Sequence, residues 1–233
     1  MPASNIQKPA AINITNIPFI RNENVLKINK IFHQYFSSQK ILPILTIEDL
    51  VSCNYIQDIF LENGIKIFEI TLRTNVALEA INFLAQNKNF IVGAGTLTNE
   101  KNVQSAVDVG AKFGVSPGIS DELFQQCEKN NFPLIPGVSS PSEIMVSYNR
   151  GYEILKFFPA EVLGGIKMLK ALQGPFPDCH FFPTGGINQD NANKYLSLSN
   201  VYGVAGSWMV PKYLLDQKDW KKINKIIKKV VSK

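Results

Sequence analysis

The feature that most constrains this chain is an eightfold alternation of short apolar strands with helical segments. The segments between strands begin at N-cap residues such as Asn99 and Ser120 and stop at glycines such as Gly64 and Gly110. Such alternation favours parallel strands with right-handed crossovers, and eight units predict a closed (β/α)8 barrel, the TIM barrel. The predicted strands are Ile41–Leu45, Lys66–Leu72, Phe90–Gly95, Phe113–Pro117, Pro133–Val138, Ile154–Pro159, His180–Thr184 and Val201–Ala205.

The alternative is a doubly wound open sheet, but no Gly-rich dinucleotide turn follows the first strand. Residues 1–22 have weak periodicity and several prolines, which predicts a flexible N-terminal arm. Apolar residues recur at helical spacing over Asn24–Phe36, which predicts an extra helix ahead of the barrel. We therefore expect one barrel domain over residues 23–233, including that leading helix.

The net charge of +5 and the pI near 9.0 could indicate a nucleic-acid partner. Many of the cations, however, belong to a final helix that starts at about Gln217, and they lie opposite its apolar residues Ile223, Ile226, Ile227 and Val230. No basic run is interleaved with stacking aromatics, so these lysines are interpreted as a solvated helix face and no nucleic-acid partner is expected.

No apolar run approaches the ~18 residues of a membrane span, and the first residues do not resemble a secretory signal. The three cysteines are far apart, without the spacing of metal ligands, which favours a reducing compartment. His33 and His180 lie away from the carboxyl ends of the strands, and no His–carboxylate cluster is present. The expectations are a cytoplasmic protein without a membrane partner, metal or cofactor.

Lys156 lies in the middle of the sixth strand, among Ile154, Leu155, Phe157 and Phe158. A buried ammonium loses its hydration, and a neutral amine is a nucleophile, so such a lysine is a candidate for covalent catalysis. The alternative is a lysine that extends to water at the strand end. Strand alternation directs Lys156, Phe158 and Ala160 toward the barrel axis.

The second predicted strand carries Glu69, Thr71 and Arg73 at alternate positions, so the three side chains share one face and are expected to point toward the axis. A partly buried glutamate is a candidate general acid–base, because burial raises its pKa toward working pH. An arginine at a strand end suits a substrate carboxylate, which it can bind through two parallel hydrogen bonds. A structural Glu–Arg pair is the alternative.

Glycines follow the seventh strand at Gly185-Gly186 and the eighth at Gly206-Ser207. Many barrels bind phosphate at these two strand ends through backbone N–H groups. Ordinary turn chemistry explains either pair alone, but their combination predicts an anion site.

Several further segments, taken in chain order, make a specific pattern: Phe68–Thr74 (FEITLRT), Val92–Thr96 (VGAGT), Val115–Gly118 (VSPG), Pro133–Gly137 (PLIPG), Lys156–Glu161 (KFFPAE), Pro183–Ile187 (PTGGI) and Gly206–Pro211 (GSWMVP). On these segments the chain, from about residue 24 to its end, closely resembles the bifunctional 2-keto-3-deoxy-6-phosphogluconate (KDPG) and 4-hydroxy-2-oxoglutarate (KHG) aldolase family. The resemblance implies a (β/α)8 class I aldolase without metal, usually a homotrimer.

The resemblance also implies roles for single residues. Lys156 matches the Schiff-base lysine and Glu69 the general acid–base. The remaining positions match groups that bind the pyruvate carboxylate (Arg73 and Thr96), line the pocket (Pro117 and Phe158) or form the phosphate rim (Gly185, Gly186 and Ser207). The implied substrates are a phosphorylated keto acid, cleaved to pyruvate and glyceraldehyde 3-phosphate, and 4-hydroxy-2-oxoglutarate.

Three rival functions remain. One is an aldolase for the galactonate-derived epimer of KDPG. Another is a phosphate-binding barrel epimerase or isomerase, which has no need of a lysine in mid-strand. The third is a binding protein that kept the barrel without the chemistry. The first strand ends Leu45-Thr46 without a basic residue, so phosphate recognition is expected to depend mainly on backbone amides and Ser207. That arrangement leaves room for unphosphorylated substrates.

Overall fold

The computed structural model describes residues 23–232. The predicted arm, residues 1–22, lies outside the described residues. The helices are α1 Glu23–Tyr35, α2 Val51–Glu62, α3 Ala77–Ala85, α4 Glu100–Asp108, α5 Asp121–Lys129, α6 Pro141–Asn149, α7 Gly165–Gln173, α8 Ala192–Leu196, α9 Lys212–Asp216 and α10 Trp220–Val231. The strands are β1 Ile41–Leu45, β2 Ile67–Thr71, β3 Ile91–Gly95, β4 Phe113–Val115, β5 Leu134–Ile135, β6 Gly137–Val138, β7 Ile154–Phe157, β8 His180–Pro183 and β9 Val204–Gly206.

The strands form a curled parallel sheet of an α/β fold. One run has the order β5-β4-β3-β2-β1-β9, and a second has the order β6-β7-β8. The first strand, β1, pairs with both β2 and β9, so the sheet bends back on itself. An open doubly wound sheet has a different strand order, and that alternative is excluded.

The fifth predicted strand, Pro133–Val138, is divided at Pro136 into β5 and β6. Proline has no N–H to give to a neighbouring strand, so the ladder stops there. The Pro136 carbonyl still accepts a hydrogen bond of 2.9 Å from the Lys156 N–H. One residue therefore separates the two runs of the sheet.

Two predicted boundaries near the C-terminus were wrong. The eighth strand was expected over Val201–Ala205, but Val201 makes only an isolated bridge to Phe181 and the strand begins at Val204. The final helix was expected from about Gln217. Lys218 instead adopts a left-handed φ of 55°, which ends α9, and α10 begins after the N-cap Asp219. Helix periodicity cannot detect a single left-handed residue.

Two layers of apolar side chains surround the sheet. The larger lies between strands and helices and includes Phe68, Ile70, Leu155 and Phe157. The smaller fills the inside of the sheet. Its members are Ile28, Phe32 and Phe36 from the α1 region together with Leu42, Ile44, Ile67, Phe113, Val115, Ile135, Ile154, Phe182 and Ala205. Helix α1 therefore covers the amino-end opening, and polar groups are left for the opposite end.

Three further predictions, on the helix caps, the histidines and the lysines of α10, agree with the structure. The side chains of Asn99 and Ser120 cap α4 and α5 by accepting hydrogen bonds from backbone N–H groups. His33 and His180 lie beside Tyr202 at the amino end of the sheet, and the His33 Nδ1 is 2.9 Å from the Tyr202 hydroxyl. The lysines of α10 are exposed opposite its buried Ile223, Ile227 and Val230. Within residues 23–232, every helix is too short or too polar to cross a membrane.

Candidate active site

Glu69 and Thr71 lie inside the curled sheet, as the alternation of β2 predicted. Each is only 1% exposed, while Phe68 and Ile70 belong to the helix-side layer. The Thr71 hydroxyl donates a hydrogen bond of 3.2 Å to the Leu45 carbonyl. A second hydroxyl, on Thr46, lies 3.1 Å from it. These contacts hold β1 and β2 together at their carboxyl ends, beside Glu69.

Lys156 also lies on the inner side of the sheet. Its neighbours Leu155 and Phe157 pack in the helix-side layer, and Lys156 is 7% exposed. Its register partners are Gly137 on β6 and Phe182 on β8. The Nζ atom lies 5.0 Å from the centre of the Phe158 ring. A buried amine beside an aromatic face fits the predicted nucleophile better than a lysine extended to water.

Ala160 does not face the axis, contrary to the prediction from strand alternation. Strand β7 ends at Phe157 and a turn follows, so alternation no longer applies. The Ala160 side chain is fully buried in the helix-side layer. Its N–H donates a hydrogen bond of 2.8 Å to the Thr184 carbonyl and thereby joins the turn to the loop after β8.

The Glu69 carboxyl is electrostatically linked to the other charged groups of the site. Burial raises its pKa above the usual value, and the cations Lys156 and Arg73 oppose that effect. Its Oε2 atom is buried without a hydrogen-bond partner in the described part of the chain. A carboxyl with a raised pKa and an unpaired oxygen is suited to exchanging a proton with a bound molecule.

A cavity of about 340 Å³ opens at the carboxyl ends of β1, β2, β8 and β9. Most of the predicted substrate-binding residues line it, namely Arg73, Phe158, Gly185, Gly186 and Ser207. The Phe158 ring, whose centre is 5.0 Å from Lys156 Nζ, also lines the cavity, so the lysine lies next to that part of the wall. Lys156 and Glu69 are not themselves among the lining residues.

The glycine loop after β8 has the geometry of an anion cradle. Gly185 and Gly186 have φ values of 94° and 80°, which side chains rarely adopt. Their carbonyls accept hydrogen bonds of 3.2 Å from the Glu161 N–H and 3.0 Å from the Asn191 side chain. In the part of the chain that is described, the N–H groups of Gly186 and Ser207 donate no hydrogen bond. Two free backbone donors thus line the cavity.

Arg73 is exposed and lines the cavity. Among residues 23–232 it makes no ion pair, and its backbone N–H donates to the Thr71 carbonyl at 2.8 Å. A guanidinium without a carboxylate partner retains its full capacity for a bidentate contact. Because Arg73 also acts on the Glu69 pKa, a bound carboxylate there would lie close to the reacting groups.

Besides Lys156 and Glu69, two further predicted site residues lie outside the lining of this cavity. Thr96 directly follows β3 with a φ of 63°, a strained conformation for a β-branched residue that often marks functional positions. Pro117 lines a separate cleft of about 170 Å³ with Leu97 and Leu123. Its backbone nevertheless packs against Gly137, the register partner of Lys156.

The cavity also contains residues that were not predicted as part of the site. Thr46 and Thr184 supply hydroxyls at the ends of β1 and β8, and Lys212 supplies a cation. Lys212 immediately follows the segment Gly206–Pro211, so its nearness in sequence to Gly206-Ser207 was the available signal. Within residues 23–232, no group of three His, Cys, Asp or Glu side chains is arranged to hold a metal ion.

These groups together support a defined chemistry. A buried amine can add to a carbonyl carbon, and a neighbouring carboxyl can exchange protons with the adduct. The guanidinium and the glycine loop lie on the same cavity and can bind two separate anionic groups. The site therefore suits a keto acid that carries a second anionic group.

Gly95 offers a direct test of how Glu69 is positioned. A Cβ atom at Gly95 would overlap the Glu69 carboxyl, whereas a Cβ at Gly93 would overlap the Phe113 ring. We expect both alanine variants to lose about 1–3 kcal/mol of stability from overpacking. Only Gly95→Ala should lose most of the proton-transfer activity that the family resemblance implies for Glu69. Thermal unfolding and pyruvate proton exchange measure the two effects, and equal activity of the two variants would contradict the assignment.

Comparison with known proteins agrees with this geometry. A family model for KDPG and KHG aldolase matches residues 32–226. The chain is 41% identical over 198 residues to a 2-dehydro-3-deoxy-phosphogluconate aldolase of Pseudoalteromonas atlantica, covering 84% of this chain and 92% of the relative. It is 37% identical over 192 residues to the KHG/KDPG aldolase of Escherichia coli K12, covering 82% and 90%.

A solved structure is similarly close. The KDPG aldolase of Legionella pneumophila, crystallised with pyruvate captured as a covalent carbinolamine intermediate, superposes with a TM-score of 0.81 at 40% identity. The match covers 84% of this chain and 95% of that protein. From the matched family model and from relatives of this similarity and coverage, we conclude that the chain belongs to the KDPG and KHG aldolase family.

Proposed function

We propose that this protein is a class I aldolase, a carbon–carbon lyase that cleaves KDPG to pyruvate and glyceraldehyde 3-phosphate. The observation that carries the proposal is Lys156, a buried lysine on the inner side of the sheet beside the Phe158 ring. The covalent pyruvate adduct in the Legionella pneumophila relative supports the same chemistry. An epimerase or a binding protein without chemistry has no use for this amine.

In the proposed reaction, the Lys156 amine adds to the C2 ketone of the substrate and forms a carbinolamine. Loss of water gives an iminium, which attracts electrons from the neighbouring C3–C4 bond. The guanidinium of Arg73, with Thr96 at the end of β3, binds the C1 carboxylate and orients the ketone.

Glu69 acts as the acid–base group. It accepts the proton of the C4 hydroxyl as the C3–C4 bond breaks, and the aldehyde product leaves. The enamine that remains on Lys156 then takes a proton at C3, and water releases pyruvate and the free amine. The raised pKa of Glu69 supports this role, because a carboxyl that retains its proton nearer neutrality can both accept and return it.

The remaining predicted residues would bind the middle of the substrate and its phosphate end. Phe158 and Pro117 pack against the middle of the molecule. The phosphate lies at the N–H groups of Gly186 and Ser207, beside Gly185. The carbonyl oxygens of Gly185 and Gly186 already accept hydrogen bonds from Glu161 and Asn191. This supports the use of the N–H groups of the loop for binding an anion.

We further propose that residues 23–233 form one complete (β/α)8 barrel, in which β5 and β6 are the two halves of one strand. The pairing of β1 with β9 and the isolated bridge between Thr184 and Ala205 support closure. A homotrimer, the usual state in the family that the chain resembles, stays a prediction, and the mass of the protein in solution would test it.

The test of the proposed function is turnover of three keto acids. We expect the highest kcat/KM with KDPG, lower activity with 4-hydroxy-2-oxoglutarate, and the lowest with the galactonate-derived epimer, whose C4 hydroxyl has the opposite configuration. A chelator should leave all three rates unchanged, because an iminium needs no metal as electron acceptor. A higher kcat/KM for the epimer would favour the galactonate alternative, and loss of activity with chelator would favour a metal-dependent aldolase.

A further inference from the structure

Lys212 adds a second cation to the cavity, although the first strand provides none. It is the first residue of α9 and lines the same space as Gly185, Gly186 and Ser207. Arg73 is the other lysine or arginine in that lining within the described chain. At the end of β1 the lining residue is Thr46, which carries no charge. The first strand ends without a basic residue, as the sequence indicated, and the second cation comes from α9.

The two cations serve different ends of the cavity. Arg73 acts on the pKa of Glu69, whereas Lys212 is absent from the groups that shift that pKa. Lys212 is also about half exposed, with its side chain 54% accessible. Arg73 thus lies near the reacting groups, and Lys212 lines the cavity together with the glycine loop.

Two carboxylates hold Lys212 in the absence of an anion. Its Nζ atom lies 3.0 Å from both oxygens of Asp216 and 3.2 Å from Glu48 Oε1. Hydrogen bonds to Asp216 and then Glu48 raise the pKa of Lys212, so its positive charge is secure at neutral pH. Glu48 and Asp216 are themselves about half exposed, and ion pairs in such surroundings contribute little stability. The lysine can therefore exchange these partners for a phosphate group without a large loss.

We propose that Lys212 is the residue that gives this site its preference for phosphorylated substrates, by leaving Glu48 and Asp216 to pair with the substrate phosphate beside Gly186 and Ser207. The inference rests on the proposed aldolase function and identifies the group that distinguishes its substrates. Glu48 and Asp216 compete with the phosphate and keep the lysine oriented at the cavity. An unphosphorylated keto acid gains nothing from Lys212, so the side chain acts on selectivity and not on the bond-breaking step.

Substitution of Lys212 tests this role. We expect Lys212→Ala to lower kcat/KM for KDPG about tenfold through KM, as one charge-assisted contact is removed, with kcat nearly unchanged. Activity with 4-hydroxy-2-oxoglutarate should stay the same, and Lys212→Arg should retain most of the preference. Lys225→Ala, an exposed position on α10, removes the same charge elsewhere and should change neither substrate. Equal losses on both substrates, or none on either, would overturn the proposal.

Inorganic phosphate provides a test that does not require turnover. Calorimetric titration should show weaker phosphate binding to Lys212→Ala than to the unsubstituted protein, and tighter binding to Glu48→Gln, in which one competitor is removed. The Lys225→Ala protein should bind phosphate as the unsubstituted protein does. Unchanged phosphate affinity in Lys212→Ala would refute the role of Lys212. Failure of the unsubstituted protein to form an adduct with pyruvate would refute the aldolase function instead, and the titration would still report on Lys212.

Discussion

Replacement of Lys156 by alanine is expected to lower kcat for KDPG cleavage by a factor of about 10⁴ or more, because the covalent intermediate can no longer form. Treatment with pyruvate and borohydride should attach a reduced adduct to the unsubstituted protein and none to Lys156→Ala. Peptide mass analysis should locate the adduct on Lys156. The site is otherwise retained, because the cavity and its glycine loop are built from other elements.

Two further variants separate the nucleophile from its charge. Lys156→Arg keeps a cation beside Glu69 but lacks a nucleophilic amine, so it should be as inactive as the alanine variant. Lys170→Ala removes an exposed lysine from α7, the helix that follows Lys156 in the chain, and should retain both activity and adduct. An active Lys156→Arg protein would mean that Lys156 acts only through its charge, and the Schiff-base mechanism would be excluded.

The sequence was informative wherever a local pattern determines the structure. Strand alternation correctly directed Glu69 and Thr71 inward and Phe68 and Ile70 outward, because successive side chains of a strand always point to opposite faces. The cap residues Asn99 and Ser120 were correct for the same reason, since a cap depends on bonds within one turn. Alternation failed at Ala160, where the strand had already ended.

Features that depend on distant parts of the chain were not predictable in this way. Lys212 lies on a short helix after β9, and its place beside the loop of β8 follows only from the curled sheet. The same holds for Glu48, which comes from the β1 end to contact Lys212. Pro117 was predicted at the site from its position at a strand end, but it lies outside the lining of the main cavity. Which residues are neighbours at the rim depends on how the ends of distant strands are arranged in three dimensions.

Glu69→Gln is expected to form the pyruvate adduct but to exchange the pyruvate methyl protons about 10²- to 10⁴-fold more slowly, the usual contribution of a general acid–base. Proton exchange followed by NMR in deuterated solvent measures this step without the cleavage reaction. The adduct in the same sample serves as the control, because it reports that Lys156 still reacts. Normal exchange in Glu69→Gln would assign the proton transfer to another group.

The same substitution should change the dependence of stability on pH. Burial raises the pKa of Glu69, with Lys156 and Arg73 opposing, so the folded protein holds this proton above the pH at which the unfolded chain releases it, about 4.3. The stabilisation from Glu69 is therefore complete below that pH and is lost as pH rises through the folded pKa. A glutamine does not titrate, so its stability relative to glutamate should increase with pH over this range.

Thermal unfolding of both proteins from about pH 4 to pH 8 measures this difference. The slope is more informative than the absolute Tm, because a glutamine amide also leaves polar atoms unpaired beside the buried Oε2 position. Glu79→Gln, which replaces an exposed carboxylate on α3 in the same way, provides the matched control. If the Tm of Glu69→Gln rises with pH relative to that of the unsubstituted protein, and its proton exchange is slow, Glu69 supports function but lowers stability. A constant Tm difference across this range would show that Glu69 ionises in the folded protein as it does in the unfolded chain. Its proposed role as the acid–base group near neutral pH would then lose its physical basis.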